Sequence, residues 1–149
     1  MPFTIKEFLY LYNRHYQTIV MSKRKLIFVV DDDPFITQLI VKRFNSDDFL
    51  VEPYEYGEDC LAALDKGPDL IILDYYFFKS GSKVLNGMEV FDTIRESNPD
   101  IPVIMLSGQD RGDVVLELAR KGIDDYVIKD NSLIANLETA INEILGIDA

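Results

Sequence analysis

The stretch LIFVVDDDP, residues 26–34, joins a short apolar run to three carboxylates and a proline. An unbroken apolar run is typical of a parallel strand that is buried on both faces. An aspartate followed by proline is typical of a helix start, because the aspartate caps the first turn and proline fits there. We therefore predict a strand at Leu26–Val30 and a helix that begins after Asp33.

Three further apolar runs also end in a polar side chain. They are Leu70–Leu73 before Asp74, Ile101–Leu106 before Ser107, and Tyr126–Ile128 before Lys129. The remaining strand candidate, Phe49–Tyr54, contains Pro53, which cannot donate to a ladder and so predicts a sheet edge. Amphipathic stretches alternate with these runs. The pattern predicts an α/β fold with a doubly wound, five-stranded parallel sheet of order 2-1-3-4-5.

The helices are predicted from apolar residues at helical spacing and from their end signals. Phe35, Ile36, Leu39, Ile40 and Phe44 form the first apolar stripe. The later helices are predicted at residues 58–66, 88–97, 113–121 and 132–145.

Ligands of such folds bind beyond the carboxyl ends of the strands, where the strand order reverses. Here the reversal falls between strands one and three, which end at Asp31, Asp32 and Asp74. Clustered carboxylates need a cation, and Mg²⁺ is the expected one. Because Asp74 ends the central strand, it is positioned to be a nucleophile toward phosphorus, with Lys129 and Ser107 at the neighbouring strand ends.

Composition limits the alternatives. The net charge of −11 argues against nucleic-acid binding by this chain, and no apolar run is long enough for a membrane span. The single cysteine, Cys60, favours a reducing compartment, which we expect to be the cytoplasm. It lies in a helical pattern and is predicted to be a buried, inert thiol.

The first residues differ in character from the rest. Residues 1–22 are predicted to be an N-terminal extension, and residues 23–149 the main domain. Ile5, Phe8, Leu9, Tyr12, Tyr16 and Ile19 recur at helical spacing, which predicts an amphipathic helix. Met21 also resembles a natural beginning of the chain. A docked helix and a start-site artefact both remain open.

Residues 25–145 resemble the receiver domains of two-component response regulators. The resemblance rests on VVDDDP at 29–34, IILD at 71–74, NGMEV at 86–90, VIMLSG at 103–108 and GIDDYVIK at 122–129. It implies a flavodoxin-like three-layer sandwich and a stand-alone, chemotaxis-type signalling protein. It also implies phosphoryl transfer from a histidine kinase or a histidine phosphotransfer protein.

The resemblance further implies a role for each site residue. Asp74 would be the phosphoacceptor, and Asp31, Asp32, Asp74 and the backbone carbonyl of Tyr76 would hold Mg²⁺. Ser107 and Lys129 would bind phosphoryl oxygens, and Ser107 and Tyr126 would form the switch. A downstream protein would bind the face formed by the fourth predicted helix (residues 113–121), the fifth strand and the last helix (residues 132–145). The only catalysis implied is self-phosphorylation and slow self-dephosphorylation.

Two features depart from the family pattern. Asp130 follows Lys129 where the family usually has a proline in a cis bond, so we expect a trans bond here. The loop Tyr75–Asn86 is longer than usual, and it would shield the acyl phosphate, contact a partner, or be a tolerated insertion. These departures keep a second function open, a receiver-like interaction module that is never phosphorylated. An aspartyl phosphohydrolase is disfavoured, because such enzymes typically use an acid two residues after the nucleophile as general acid. Here that position is Tyr76, which cannot take this role.

Overall fold

The computed structural model describes residues 2–108 and 112–146. Its strands are β1 (Lys25–Val30), β2 (Phe49–Tyr54), β3 (Leu70–Asp74), β4 (Val103–Ser107) and β5 (Asp125–Ile128). Its helices are α1 (Ile5–Lys23), α2 (Pro34–Phe44), α3 (Gly57–Ala62), α4 (Gly87–Ser97), α5 (Gly112–Arg120) and α6 (Leu133–Leu145). All strands pair in parallel in the order β2-β1-β3-β4-β5, as predicted.

The sheet forms the middle of three layers, because alternate strand residues face opposite sides. Ile27, Val29 and Ile72 pack with α2 and α6 on one face. Phe28 and Ile71 pack with α3, α4 and α5 on the other. The side chains of β3 are buried along the whole strand, as expected for its central position.

Local signals explain most element boundaries. Asp33 Oδ1 accepts a hydrogen bond from the Phe35 N–H at 2.9 Å, which confirms Asp33 as the cap of α2. Pro53 lies on the edge strand β2, as predicted. The helix predicted at residues 58–66 is shorter, since α3 ends at Ala62 and a 3₁₀ turn follows at Leu64–Lys66.

Helix α1 covers the N-terminal stretch with helical spacing, but the side chains of residues 5–17 are all exposed. Its aromatic rings contact one another along the helix, with Phe8 and Tyr16 each 6.4 Å from Tyr12 between ring centroids. Across the described ranges, none of the helices is long and apolar enough to cross a membrane.

Candidate functional site

Three carboxylates meet at the carboxyl edge of the sheet. Asp31 follows β1 directly, Asp74 is the last residue of the neighbouring strand β3, and Asp32 lies beside them. One oxygen of each carboxylate lies within 4.8 Å of the others. Asp31 and Asp74 are only 2% and 4% exposed. The structure therefore brings together the three acids that the sequence placed at strand ends.

The Lys129 ammonium lies between the two buried acids. Its Nζ is 2.6 Å from Asp31 Oδ2 and 3.0 Å from Asp74 Oδ1. The backbone holds it there, because the Lys129 N–H donates to the Ser107 carbonyl at 2.8 Å and so extends the pairing of β4 and β5. The Lys129–Asp130 bond is trans, as expected, since the described part of the chain contains no cis peptide bond.

Burial sets the electrostatics of this cluster. It raises the pKa of Asp74 from 3.8 to about 7, and the nearby Asp31 charge adds to the rise while Lys129 opposes it. Burial also raises the pKa of Asp31 above its usual value, against the opposing effect of Lys129. Burial disfavours the charged form of Lys129, but the two carboxylates outweigh it and raise the Lys129 pKa. A single ammonium thus neutralises the acids only in part.

The donor set fits Mg²⁺. The buried Oδ2 of Asp31 accepts no hydrogen bond of regular geometry within the described residues, although Lys129 Nζ is 2.6 Å away. Hard carboxylate oxygens with residual negative charge are the ligands that Mg²⁺ prefers. A cleft of about 330 Å³ between Pro34 and Tyr54 opens beside Asp31 and Asp32 and gives solvent a route to them.

The remaining residues assigned by resemblance lie around this cluster. Ser107 ends β4 and is only 3% exposed. Tyr126 is half-buried on β5 and packs with the core on the α4 and α5 side of the sheet. Tyr76 lies two residues beyond Asp74, with half of its side chain exposed. The roles assigned to these three residues stay predictions.

Two contacts at the site were not predicted from the sequence. The Phe78 N–H donates to Asp32 Oδ2 at 2.8 Å. Gly87, which begins α4, lies so close to the end of β3 that a Cβ atom there would be 2.4 Å from the Asp74 carbonyl oxygen. The Asn86-Gly87 pair was a visible sequence signal, whereas a backbone N–H donor leaves none.

Asp130 accepts hydrogen bonds from residues that closely follow it in the sequence. Its Oδ1 accepts a hydrogen bond from the Ser132 N–H at 2.8 Å, and its carbonyl accepts one from the Leu133 N–H at 3.1 Å. Both bonds satisfy backbone donors where α6 begins. Asp130 therefore shapes the turn between Lys129 and α6.

Comparison with known protein families identifies the class of protein to which this fold and acid cluster belong. The family model for the response regulator receiver domain matches residues 27–142. The chain therefore belongs to the family of response regulator receiver domains.

Individual relatives agree. The chain is 34% identical over 119 residues to the transcriptional regulatory protein CpxR of Klebsiella pneumoniae, and the match covers 77% of this chain and 48% of that protein. It is 33% identical over 110 residues to the DNA-binding response regulator MtrA of Mycolicibacterium smegmatis, covering 72% and 45%. The chain thus spans less than half the length of these curated relatives.

Solved structures agree on the fold. The response regulator protein TrrA from Thermotoga maritima, solved in complex with Mg(2+)-BeF, aligns with a TM-score of 0.68 and 27% identity. The alignment covers 80% of this chain and 98% of that one. The flavodoxin-like sandwich implied by the sequence resemblance is confirmed.

Proposed function

We propose that this receiver domain accepts a phosphoryl group on Asp74 from a phosphohistidine of a partner kinase or phosphotransfer protein. The observation that carries the proposal is the position of Lys129 Nζ, within 3.0 Å of both buried acids at the carboxyl edge of the sheet. An ammonium shared by two carboxylates supplies positive charge at the position where a transferred phosphoryl group would place its oxygens.

The reaction joins an Asp74 carboxylate oxygen to phosphorus while the bond from phosphorus to the histidine nitrogen breaks. The histidine leaves with that electron pair, and the product is an aspartyl phosphate. Asp31, Asp32, Asp74 and the Tyr76 carbonyl would hold Mg²⁺, which supplies positive charge for the phosphoryl oxygens when bound. Burial of Asp74 limits the access of bulk water to the acyl phosphate.

Phosphorylation would then shift a conformational equilibrium. The phosphoryl group adds nearly two negative charges and new hydrogen-bond acceptors, and Ser107 and Lys129 would move toward them. The hydrogen bond between the Lys129 N–H and the Ser107 carbonyl links those two residues. A displacement of the end of β4 would therefore also displace the end of β5, and the reverse. Tyr126 on β5 would respond and alter the face formed by α5, β5 and α6.

The partners proposed are proteins. The net charge of −11 opposes direct contact with nucleic acid, whatever the full-length relatives bind. Cys60 is fully buried, as predicted, and burial raises its pKa to about 12, which disfavours the reactive thiolate. The cytoplasmic location stays part of the proposal. The stand-alone arrangement stays a prediction, as does catalysis limited to the domain's own aspartate.

Intact-mass measurement tests the proposal. The protein is incubated with Mg²⁺ and acetyl phosphate, and we expect a mass gain of one phosphoryl group. Asp74→Asn is expected to abolish that gain, whereas the matched control Asp100→Asn, an exposed acid on the turn before β4, is expected to retain it. No mass gain would reject phosphorylation and leave the interaction module, whereas an equal gain in Asp74→Asn would reject Asp74 as the acceptor.

A further inference from the structure

The long loop after β3 reaches back to the acid cluster. Its Phe78 N–H donates to Asp32 Oδ2 at 2.8 Å, a contact across 46 positions of the sequence. Asp32 is the least buried of the three acids, so packing alone restricts its carboxylate less than those of Asp31 and Asp74. The loop amide supplies the restraint that burial does not.

The loop is held in place by Tyr56, which directly precedes α3. The Tyr56 ring contacts the Phe77 ring with centroids 6.4 Å apart, and Lys79 Nζ lies 5.2 Å from the Tyr56 ring centroid. The Tyr56 hydroxyl donates to the Phe78 carbonyl at 3.4 Å. Three successive loop residues thus rest on one aromatic side chain, and the amide that contacts Asp32 belongs to the middle one.

The far end of the loop is also fixed. The Leu85 N–H donates to Glu58 Oε2 at 3.2 Å, on α3. Asn86 then forms a capping box with Glu89 at the start of α4. Because both ends are anchored, the Phe78 amide has a defined position relative to Asp32.

A hydrogen bond of this kind affects how a carboxylate binds a cation. With Oδ2 engaged by the N–H, the carboxylate keeps one orientation and its other lone pairs remain available to the cluster. Groups that orient metal ligands in this way commonly change metal affinity by about 10- to 100-fold when removed.

We infer that the Phe78 N–H is a positioning group for cation binding by Asp32, and that Tyr56 holds the loop that carries it. This inference rests on the Mg²⁺ site of the proposed function. It assigns a role to the long loop beyond shielding. It also makes cation affinity and loop position thermodynamically linked, so that a partner contacting the loop changes Mg²⁺ binding and Mg²⁺ changes partner binding by the same factor.

Magnesium titration without a phosphodonor tests the inference, with the dissociation constant measured calorimetrically. Phe78→Pro deletes the N–H, and we expect it to weaken Mg²⁺ binding about 10-fold. The matched control is Ser80→Pro, because Ser80 follows Lys79 in the turn closed by the Ser82 N–H and the Lys79 carbonyl, where proline is favoured. The control is expected to bind Mg²⁺ within about twofold of the wild type.

Side-chain variants separate the amide from the ring. Alanine at Phe78 keeps the N–H, so a loss in Phe78→Ala as large as that in Phe78→Pro would overturn the inference. Tyr56→Ala removes the support of the loop, and we expect weaker Mg²⁺ binding there too. If Phe78→Pro does not fold, Tyr56→Ala decides: weaker binding supports the inference, and unchanged binding overturns it.

Three further outcomes have different meanings. Tighter Mg²⁺ binding by Phe78→Pro would overturn the inference, because the amide would then compete with the cation for Asp32. If the wild type shows no Mg²⁺ binding that Asp74→Ala abolishes, the metal site of the proposed function fails. Binding by the wild type with no change in Phe78→Pro rejects the positioning role alone.

Discussion

Replacing Asp74 with asparagine is expected to stabilise the folded protein at pH 8 when divalent cations are removed by EDTA. Asp74 is 4% exposed and lies beside Asp31, and both conditions raise its pKa to about 7. Its unfolded value is near 3.8. Asparagine has nearly the same shape but carries no charge, so it removes the cost of burying this carboxylate as an anion.

The magnitude follows from the two pKa values. At about 1.4 kcal/mol for each pH unit, the interval from 3.8 to about 7 corresponds to a cost of about 4 kcal/mol when Asp74 is ionised. Relaxation around the charge reduces this, so we expect a gain of about 2–4 kcal/mol in the free energy of unfolding. Each kcal/mol corresponds to a rise in Tm of about 2–4 °C for a domain of this size.

The sign of the pH dependence is fixed by the same values. Between pH 4 and pH 7 the folded wild type keeps a proton on Asp74 that the unfolded chain releases, so wild-type stability falls as pH rises through this window. Above pH 7 both states are ionised at this position and the full cost is present. The gain in the free energy of unfolding that Asp74→Asn gives over the wild type is therefore expected to be small at pH 4 and largest at pH 8.

Urea unfolding followed by circular dichroism at pH 4, 6 and 8 measures the difference. Asp100→Asn is the control, since it makes the same chemical change at an exposed acid on the turn before β4. Added Mg²⁺ is expected to stabilise the wild type more than Asp74→Asn and so narrow the gap, because the cation binds the folded acid cluster. If the stability difference between Asp74→Asn and the wild type stays constant from pH 4 to pH 8, or if the variant is less stable than the wild type at pH 8, the reasoning is refuted.

Three other changes test the surroundings of the site and the contribution of the N-terminal helix to stability. Gly87→Ala is expected to lower the free energy of unfolding by about 1–3 kcal/mol, because the new Cβ would overlap the Asp74 carbonyl; Gly112→Ala, where a Cβ meets open space, should not, and equal effects would contradict the close approach. Asp33→Ala is expected to cost about 1 kcal/mol in urea unfolding through loss of the cap on the Phe35 N–H, and no loss would contradict that role. For a chain beginning at Met21, the free energy of unfolding is expected to lie within about 0.5 kcal/mol of that of the full chain, because residues 5–17 are exposed. A larger loss in urea unfolding would show that α1 stabilises the fold.

Apolar runs and end signals were sufficient for most of the fold. Each strand was predicted to within one or two residues, and the Pro53 signal placed β2 at the edge. Spacing was less reliable for individual helix positions. Phe35 was predicted to lie in the apolar stripe of α2 but is 69% exposed, whereas Thr37 is 8% exposed and faces inward. The packing partners of α2, rather than hydrophobicity alone, decide which residues are covered.

What the sequence alone determined was that Asp31, Asp74, Ser107 and Lys129 stand at strand ends, because strand periodicity and chain order are local properties. The tertiary structure decided how those ends meet. The separations of Lys129 Nζ from the two buried acids, the raised pKa of Asp74 and the Phe78 amide on Asp32 each depend on the packing of segments distant in sequence. Burial and interatomic distance are collective results of that packing, so residue order alone does not contain them.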